Sequence, residues 1–155
     1  MTDIIKNLME LNIILPEPSK PVANYSPFVI ENNRIYVSGQ IPIKKGVLLY
    51  KGKAGKDISI EEAKEAAALC LINTISVLRN ALQGNLNNLK ACIKINVFIN
   101  SVEEFYEQPE VADGASDLIK KIFKMNGNHA RSAVSCNSLP KNAAVEIDSI
   151  FLLKN

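Results

Sequence analysis

Residues 129–153, HARSAVSCNSLPKNAAVEIDSIFLL, hold two apolar runs on either side of Leu139-Pro140-Lys141-Asn142. Proline presets the φ of a turn position and asparagine tolerates left-handed backbone, so the middle reads as a turn and the flanks as two strands of a hairpin. Side chains alternate along a strand. If position 135 faces position 146, then Arg131, Ala133 and Ser135 share a face with Glu146, Asp148 and Ile150. Arg131, Glu146 and Asp148 sit among Ala133, Val134, Val145, Ile147, Ile150 and Phe151, where an unpaired charge is costly. Two readings explain them: a structural ion pair across the sheet, or a basic and an acidic group held ready for a ligand.

Upstream of His129, Pro109 opens a helix that runs to about Met125, with Val111, Ala115, Leu118, Ile119 and Ile122 as its buried stripe and Asn126-Gly127 closing it. Ser101 and Glu104 have the spacing of a capping box for a short turn through Tyr106. Ile93, Ile95, Val97 and Ile99 alternate with Cys92, Lys94, Asn96 and Phe98, the period of a strand with one core face. The clearest helix is expected from Ile60 to Gln83, with Ser59 and Glu62 as a capping box and Gly84 as terminator. Ala63, Ala66, Ala67, Cys70, Thr74, Val77, Leu78 and Ala81 line one side of it, so that ~36 Å of helix lies flat on a sheet.

Phe28 to Ser38 reads as strand, Asn32-Asn33, strand, which is a β-hairpin. It runs into Ser38-Gly39-Gln40-Ile41-Pro42, where Gly39 lets backbone approach a ligand or another strand closely. Val47 to Tyr50 makes a further short strand after a turn at Lys44-Lys45-Gly46. Residues 3–12 suit a short helix with Ile4, Leu8 and Leu11 at helical spacing and Thr2 or Asp3 as its cap. Pro16, Pro18 and Pro21 then hold the chain extended as an arm leading to Tyr25. The order of elements predicts an α+β fold, a mixed β-sheet with two helices packed on one face. If the other face is apolar, a closed oligomer is its simplest cover.

A chain of 155 residues fits one domain, residues 1–155, of which 1–20 are the N-terminal helix and arm. With 47% hydrophobic and 22% charged residues it has the composition of a soluble globular protein. The formal charge of +2 and scattered lysines give no electrostatic footprint for nucleic acid. Met1 to Leu15 lacks the basic start and unbroken apolar core of a signal peptide, and no run approaches the roughly 18 apolar residues of a membrane span. A cytoplasmic protein without a membrane partner is expected. Cys70, Cys92 and Cys136 are odd in number and set in apolar sequence, which suits packed, reduced thiols better than disulfides or a metal site. His129 is the only histidine, which excludes a histidine-rich metal centre.

Tyr25, Ser38-Gly39-Gln40-Ile41-Pro42, Ala130-Arg131-Ser132, and Leu139-Pro140 followed by Val145-Glu146-Ile147 together resemble, in order and spacing, the RidA (YjgF) family of reactive-intermediate deaminases, also called L-PSP endoribonucleases. The resemblance runs from about Pro21 to Leu152. Asn100-Ser101 through Gln108-Pro109 to Gly114-Ala115-Ser116-Asp117-Leu118, and the His129-Ala130-Arg131-Ser132 form, are similar to a longer-chain branch of that family. The resemblance implies a chorismate-mutase-like fold and a homotrimer with clefts between subunits. Family members hydrolyse enamines and imines such as 2-aminoacrylate to a 2-keto acid and ammonia. By position, Arg131 would hold the substrate carboxylate, Glu146 would position or activate water, and Tyr25 would line the cleft. Ser38 and backbone near Gly39 and Ala133 would touch the substrate. The ligand is then a small 2-imino or 2-keto acid, and no metal or organic cofactor is expected.

These residue types suit that chemistry. Arginine offers two parallel N–H donors that fit a carboxylate and stays charged, a fork that lysine lacks. Water adding to an imine carbon must lose a proton and the departing nitrogen must gain one, and a single carboxylate raised in pKa by burial can serve both. Two departures matter. Ala133 stands where many members carry cysteine, so no thiol chemistry belongs there, and the polar residue the family uses in its second helix falls between Asp113 and Ser116. His129 reads as a surface or subunit-interface residue, with general base as the alternative. Besides the deaminase, two further functions fit: a trimeric binder of small carboxylates without turnover, and, last, an endoribonuclease, for which a basic stripe and a histidine pair are missing.

Overall fold

The computed structural model describes residues 3–18 and 24–154. Its first helix, α1 at Ile4–Glu10, is capped by Asp3, whose carboxylate accepts the Lys6 N–H at 3.0 Å. It ends before residue 12 because Asn12 turns left-handed at φ 55°. Thr2 and Pro21, expected as an alternative cap and as part of the arm, lie outside the described residues. Arg79 holds the arm instead at Pro16 and Glu17, donating to the Pro16 carbonyl at 3.1 Å and to the Glu17 carboxylate at 2.9 Å.

The hairpin forms as expected from β1 (Phe28–Glu31) and β2 (Arg34–Gln40), with Asn32 at φ 54° in the turn. The strand expected over Val47 to Tyr50 is smaller. Ile43–Lys44 (β3) and Val47–Leu48 (β4) pair only with each other, around Lys45 and Gly46 at positive φ, and stay outside the main sheet. Helix α2 follows at Ile60–Ala81, where the Ser59 Oγ accepts the Glu62 N–H and the Glu62 carboxylate accepts the Ser59 N–H at 2.8 Å. It ends two residues earlier than expected, with Gln83 and Gly84 both at positive φ.

Strand β5 (Leu89–Asn100) carries a bulge between Cys92 and Lys94. The extra residue turns Cys92, not Ile93, into the core, so the strict alternation expected there breaks. Ser101 makes no capping box with Glu104. It is buried, and its hydroxyl donates to the Ser135 Oγ at 2.8 Å. Helix α3 (Gln108–Phe123) starts with Pro109 in its first turn and is closed by Lys124 at φ 52°, not by Gly127. Gly127 is needed for space: a Cβ there would come within 2.7 Å of the Lys120 Cα. Strands β6 (Ala130–Cys136) and β7 (Val145–Leu153) complete the chain.

The main sheet has the order β1-β2-β7-β5-β6. The last two strands are therefore no hairpin. The turn at residues 140–142 exists, with Lys141 and Asn142 at positive φ, but the segment around it carries the chain over β5, which inserts between them. Strand β6 runs parallel to β5, from Lys94↔Ala130 to Asn100↔Cys136, while β7 runs antiparallel to it, with Val97↔Ile147. The physical reason lies in β5, the longest strand, which satisfies the backbone groups of both its edges in this way.

One sheet face packs under the helices through Ile35, Val37, Cys92, Ile95, Val97, Ile99, Val145, Ile147 and Phe151, all buried. Each such side chain contributes about 1.5–3 kcal/mol by leaving water. Phe123 and Phe151, with ring centroids 5.8 Å apart, fasten α3 to β7. The helix α1 joins this layer through the Asn7 amide, which donates to the Ile122 carbonyl at 2.7 Å. No helix among the described residues is long and apolar enough to cross a membrane. Cys70 and Cys92 are packed thiols, whereas Cys136 is only half-buried.

Candidate active site

Alternation along β7 sends Val145, Ile147, Ser149 and Phe151 into the core and turns Glu146, Asp148 and Ile150 to the other face. A bulge in β2 between Val37 and Gln40 brings Gly39 against Glu146. A Cβ on Gly39 would overlap Glu146 Oε1 and stand 2.9 Å from its Cδ, so the glycine lets the carboxylate lie where it does and a larger residue would displace it. Asp148 accepts a hydrogen bond from the Asn96 amide at 2.7 Å. The half-buried Glu146 carboxylate has no hydrogen-bond partner among the described residues. Burial, and then the negative charge of Asp148, push its pKa above 4.5. Nearby, Tyr25, Ser38, Gly39 and Asp148 line a cleft of about 530 Å³ with Tyr36 and Ile150. The Ser38 hydroxyl is occupied by the Ser26 carbonyl at 2.7 Å.

A second cluster stands at the sheet edge. The register Ile95↔Arg131 and Val97↔Ala133 puts Arg131 and Ala133 on the helix side of β6. Helix α3 presents Asp113, Ser116 and Lys120 at helical spacing along one flank. Arg131 Nη1 donates to Asp113 Oδ1 at 2.7 Å and to Ser116 Oγ at 3.1 Å. Ser116 Oγ lies 2.9 Å from His129 Nε2, and His129 Nδ1 lies 2.8 Å from the Gly127 carbonyl oxygen. Together with Lys120 and Asn128 these side chains line a groove of about 450 Å³.

The expected surface shared by Arg131 and Glu146 does not exist within one chain. The two side chains leave opposite faces of the sheet, and β5 separates their strands by about two strand spacings, roughly 10 Å. Tyr25, Ser38 and Gly39 go with Glu146, and Ala133 goes with Arg131. The ion pair of Arg131 is with Asp113. Both positions left open on the second helix, Asp113 and Ser116, touch Arg131, and their spacing from Lys120 is the signal that could have singled them out. His129 is half-buried with both ring nitrogens engaged. No group of histidine, cysteine and carboxylate side chains able to hold a metal ion occurs among the described residues.

The family model described as "YjgF/chorismate mutase-like, putative endoribonuclease" matches residues 6–152. Protein TCP17 of Trypanosoma cruzi is 39% identical over 153 residues, covering 98% of this chain and 95% of its own. The crystal structure of Atu1372, a protein of unknown function from Agrobacterium tumefaciens, superposes with a TM-score of 0.91 at 43% identity over 97% of this chain and 92% of its own. The 2-iminobutanoate/2-iminopropanoate deaminase of Dermatophagoides farinae is 27% identical over 142 residues, 92% of this chain and 95% of its own.

Proposed function

The chain belongs to the YjgF/chorismate mutase-like family, and from that premise we propose that it is a hydrolytic deaminase of small 2-imino acids, working in clefts completed between copies of the chain. The observation that carries this reading is Glu146, a half-buried carboxylate without a hydrogen-bond partner among the described residues and with its pKa raised by burial and by Asp148. Such a group takes and returns protons near neutral pH more readily than an exposed glutamate. In the reaction the enamine tautomerises to an imine and water adds to its C2 carbon. Glu146 accepts one proton of that water and passes it to the nitrogen, giving the carbinolamine. It then takes the carbinolamine hydroxyl proton and delivers it to the same nitrogen as the C–N bond breaks, leaving a 2-keto acid and ammonia. Arg131 holds the substrate carboxylate: Nη1 is engaged by Asp113 and Ser116, while Nη2 and Nε have no hydrogen-bond partner among the described residues and form a fork for a ligand.

The division of the residues between two sheet faces favours a cleft assembled from two subunits, one contributing Arg131 and Ala133, the other Tyr25, Ser38, Gly39 and Glu146. Exposure of Val29 (56%), Tyr36 (42%) and Val134 (47%) on the face without helices supports the closed trimer that would create such clefts. Its mass in solution should be three times 17.0 kDa. A second reading, binding of keto acids without turnover, needs only the Nη2–Nε fork of Arg131 and no acid–base group. Ribonuclease action ranks below both, because the only histidine has both ring nitrogens engaged.

The test generates 2-aminoacrylate from serine with a pyridoxal-phosphate dehydratase and follows pyruvate release with and without the protein. Acceleration over spontaneous hydrolysis is expected. Pyruvate binding without acceleration would replace the deaminase with the binder.

A further inference from the structure

We infer that His129 is a positioning residue which, acting through Ser116, holds the Arg131 guanidinium in place for the substrate carboxylate. This rests on the reading of Arg131 given above. The Gly127 carbonyl can only accept, so His129 Nδ1 carries a hydrogen. In the neutral ring Nε2 is then an acceptor, and the Ser116 hydroxyl must donate to it at 2.9 Å. The lone pairs of that hydroxyl are left for Arg131 Nη1, which donates at 3.1 Å. All donors therefore point one way, from Arg131 to Ser116 to His129 to the Gly127 carbonyl. A chain of this kind fixes each member more firmly than any single bond would.

A serine donating to a histidine also has the form of a nucleophile and its base. Here Ser116 is only 6% exposed and its oxygen is aimed at Arg131, so no substrate carbon reaches it. The arrangement serves orientation instead. Asp113 and the Ser116 hydroxyl together fix Nη1, so the plane of the guanidinium is set before a ligand reaches Nη2 and Nε.

The experiment measures pyruvate binding by calorimetry for wild type, His129→Gln, His129→Phe and Arg131→Lys, with melting curves and steady-state imine hydrolysis alongside. In His129→Gln the new amide can set its oxygen where Nε2 stands and accept from Ser116. His129→Phe should weaken binding about tenfold and raise KM while kcat stays within about twofold. His129→Gln should recover most of that loss, a rescue that a merely structural histidine would not show. Equal losses in His129→Gln and His129→Phe overturn the inference, as does unchanged binding in His129→Phe when Arg131→Lys binds weakly. If Arg131→Lys binds as wild type does, the functional reading fails and takes the inference with it. Should His129→Phe not fold, Ser116→Ala, which cuts the same chain at its middle, decides: unchanged binding there overturns the inference.

Discussion

The two clusters differ in how far a single chain satisfies them. Around Arg131 the charge is paired with Asp113 and linked through Ser116 and His129 to a backbone carbonyl, all within the stretch from α3 to β6. Around Glu146 the carboxylate is pressed against Gly39, which is distant in sequence, beside a like charge and with no hydrogen-bond partner among the described residues. One half is built for fixed geometry, the other for a shifted proton equilibrium. In the proposed reaction these are different tasks: an anion holder must be pre-organised before substrate arrives, whereas an acid–base group must be kept unstable in its charged form.

Glu146→Gln breaks the second half alone. It should lower kcat by about 10²–10⁴-fold with pyruvate binding nearly unchanged, as steady-state kinetics and calorimetry would read. Gly39→Ala sharpens the same half by displacing the carboxylate instead of deleting it, and should reduce kcat/KM by about 10²-fold, since a shift of the order of 1 Å is enough. Arg131→Lys breaks the first half: KM should rise about tenfold with kcat retained. Arg131 and Asp113 side chains are 26% and 47% exposed, so Arg131→Ala should cost under about 1 kcal/mol of stability in a denaturant titration. A large loss would mean a structural ion pair.

The smallest effect is on stability against pH. A carboxyl whose folded-state pKa is raised binds its proton more tightly in the folded chain. Its contribution is therefore fully present below its ordinary value of 4.5 and is lost as pH rises through the higher folded value. Glu146→Gln should then melt at the same temperature as wild type near pH 4 and slightly above it at pH 8. An Asp148→Asn variant, lacking the neighbouring charge, should move the acid limb of the wild-type rate profile toward lower pH.

What was legible in the sequence was local. The Ser59–Glu62 box, the Asn32-Asn33 turn and the buried stripes of α2 and α3 each follow from spacings within one element, and the family resemblance rested on short motifs in order. The error came from a pairing between distant segments. Nothing between Cys136 and Val145 says that β5 inserts there, because a linker of that length closes a hairpin or spans a neighbouring strand equally well. That insertion moves Arg131 to the other face from Glu146 and gives it Asp113 and Ser116. The bulges in β2 and β5 are equally silent in sequence, and the first of them explains Gly39.

The division of Arg131 and Glu146 between sheet faces is tested most directly by mixing subunits. Arg131→Ala and Glu146→Gln proteins, each expected to have lost most of its activity, are unfolded and refolded together, with the exchange verified by native mass spectrometry of differently tagged chains. If one chain supplies Arg131 and the next supplies Glu146 in the proposed trimer, every mixed assembly regains one intact cleft, and imine hydrolysis should return. Mixed assemblies that form and stay inactive would contradict the account, because both residues would then have to come from the same chain.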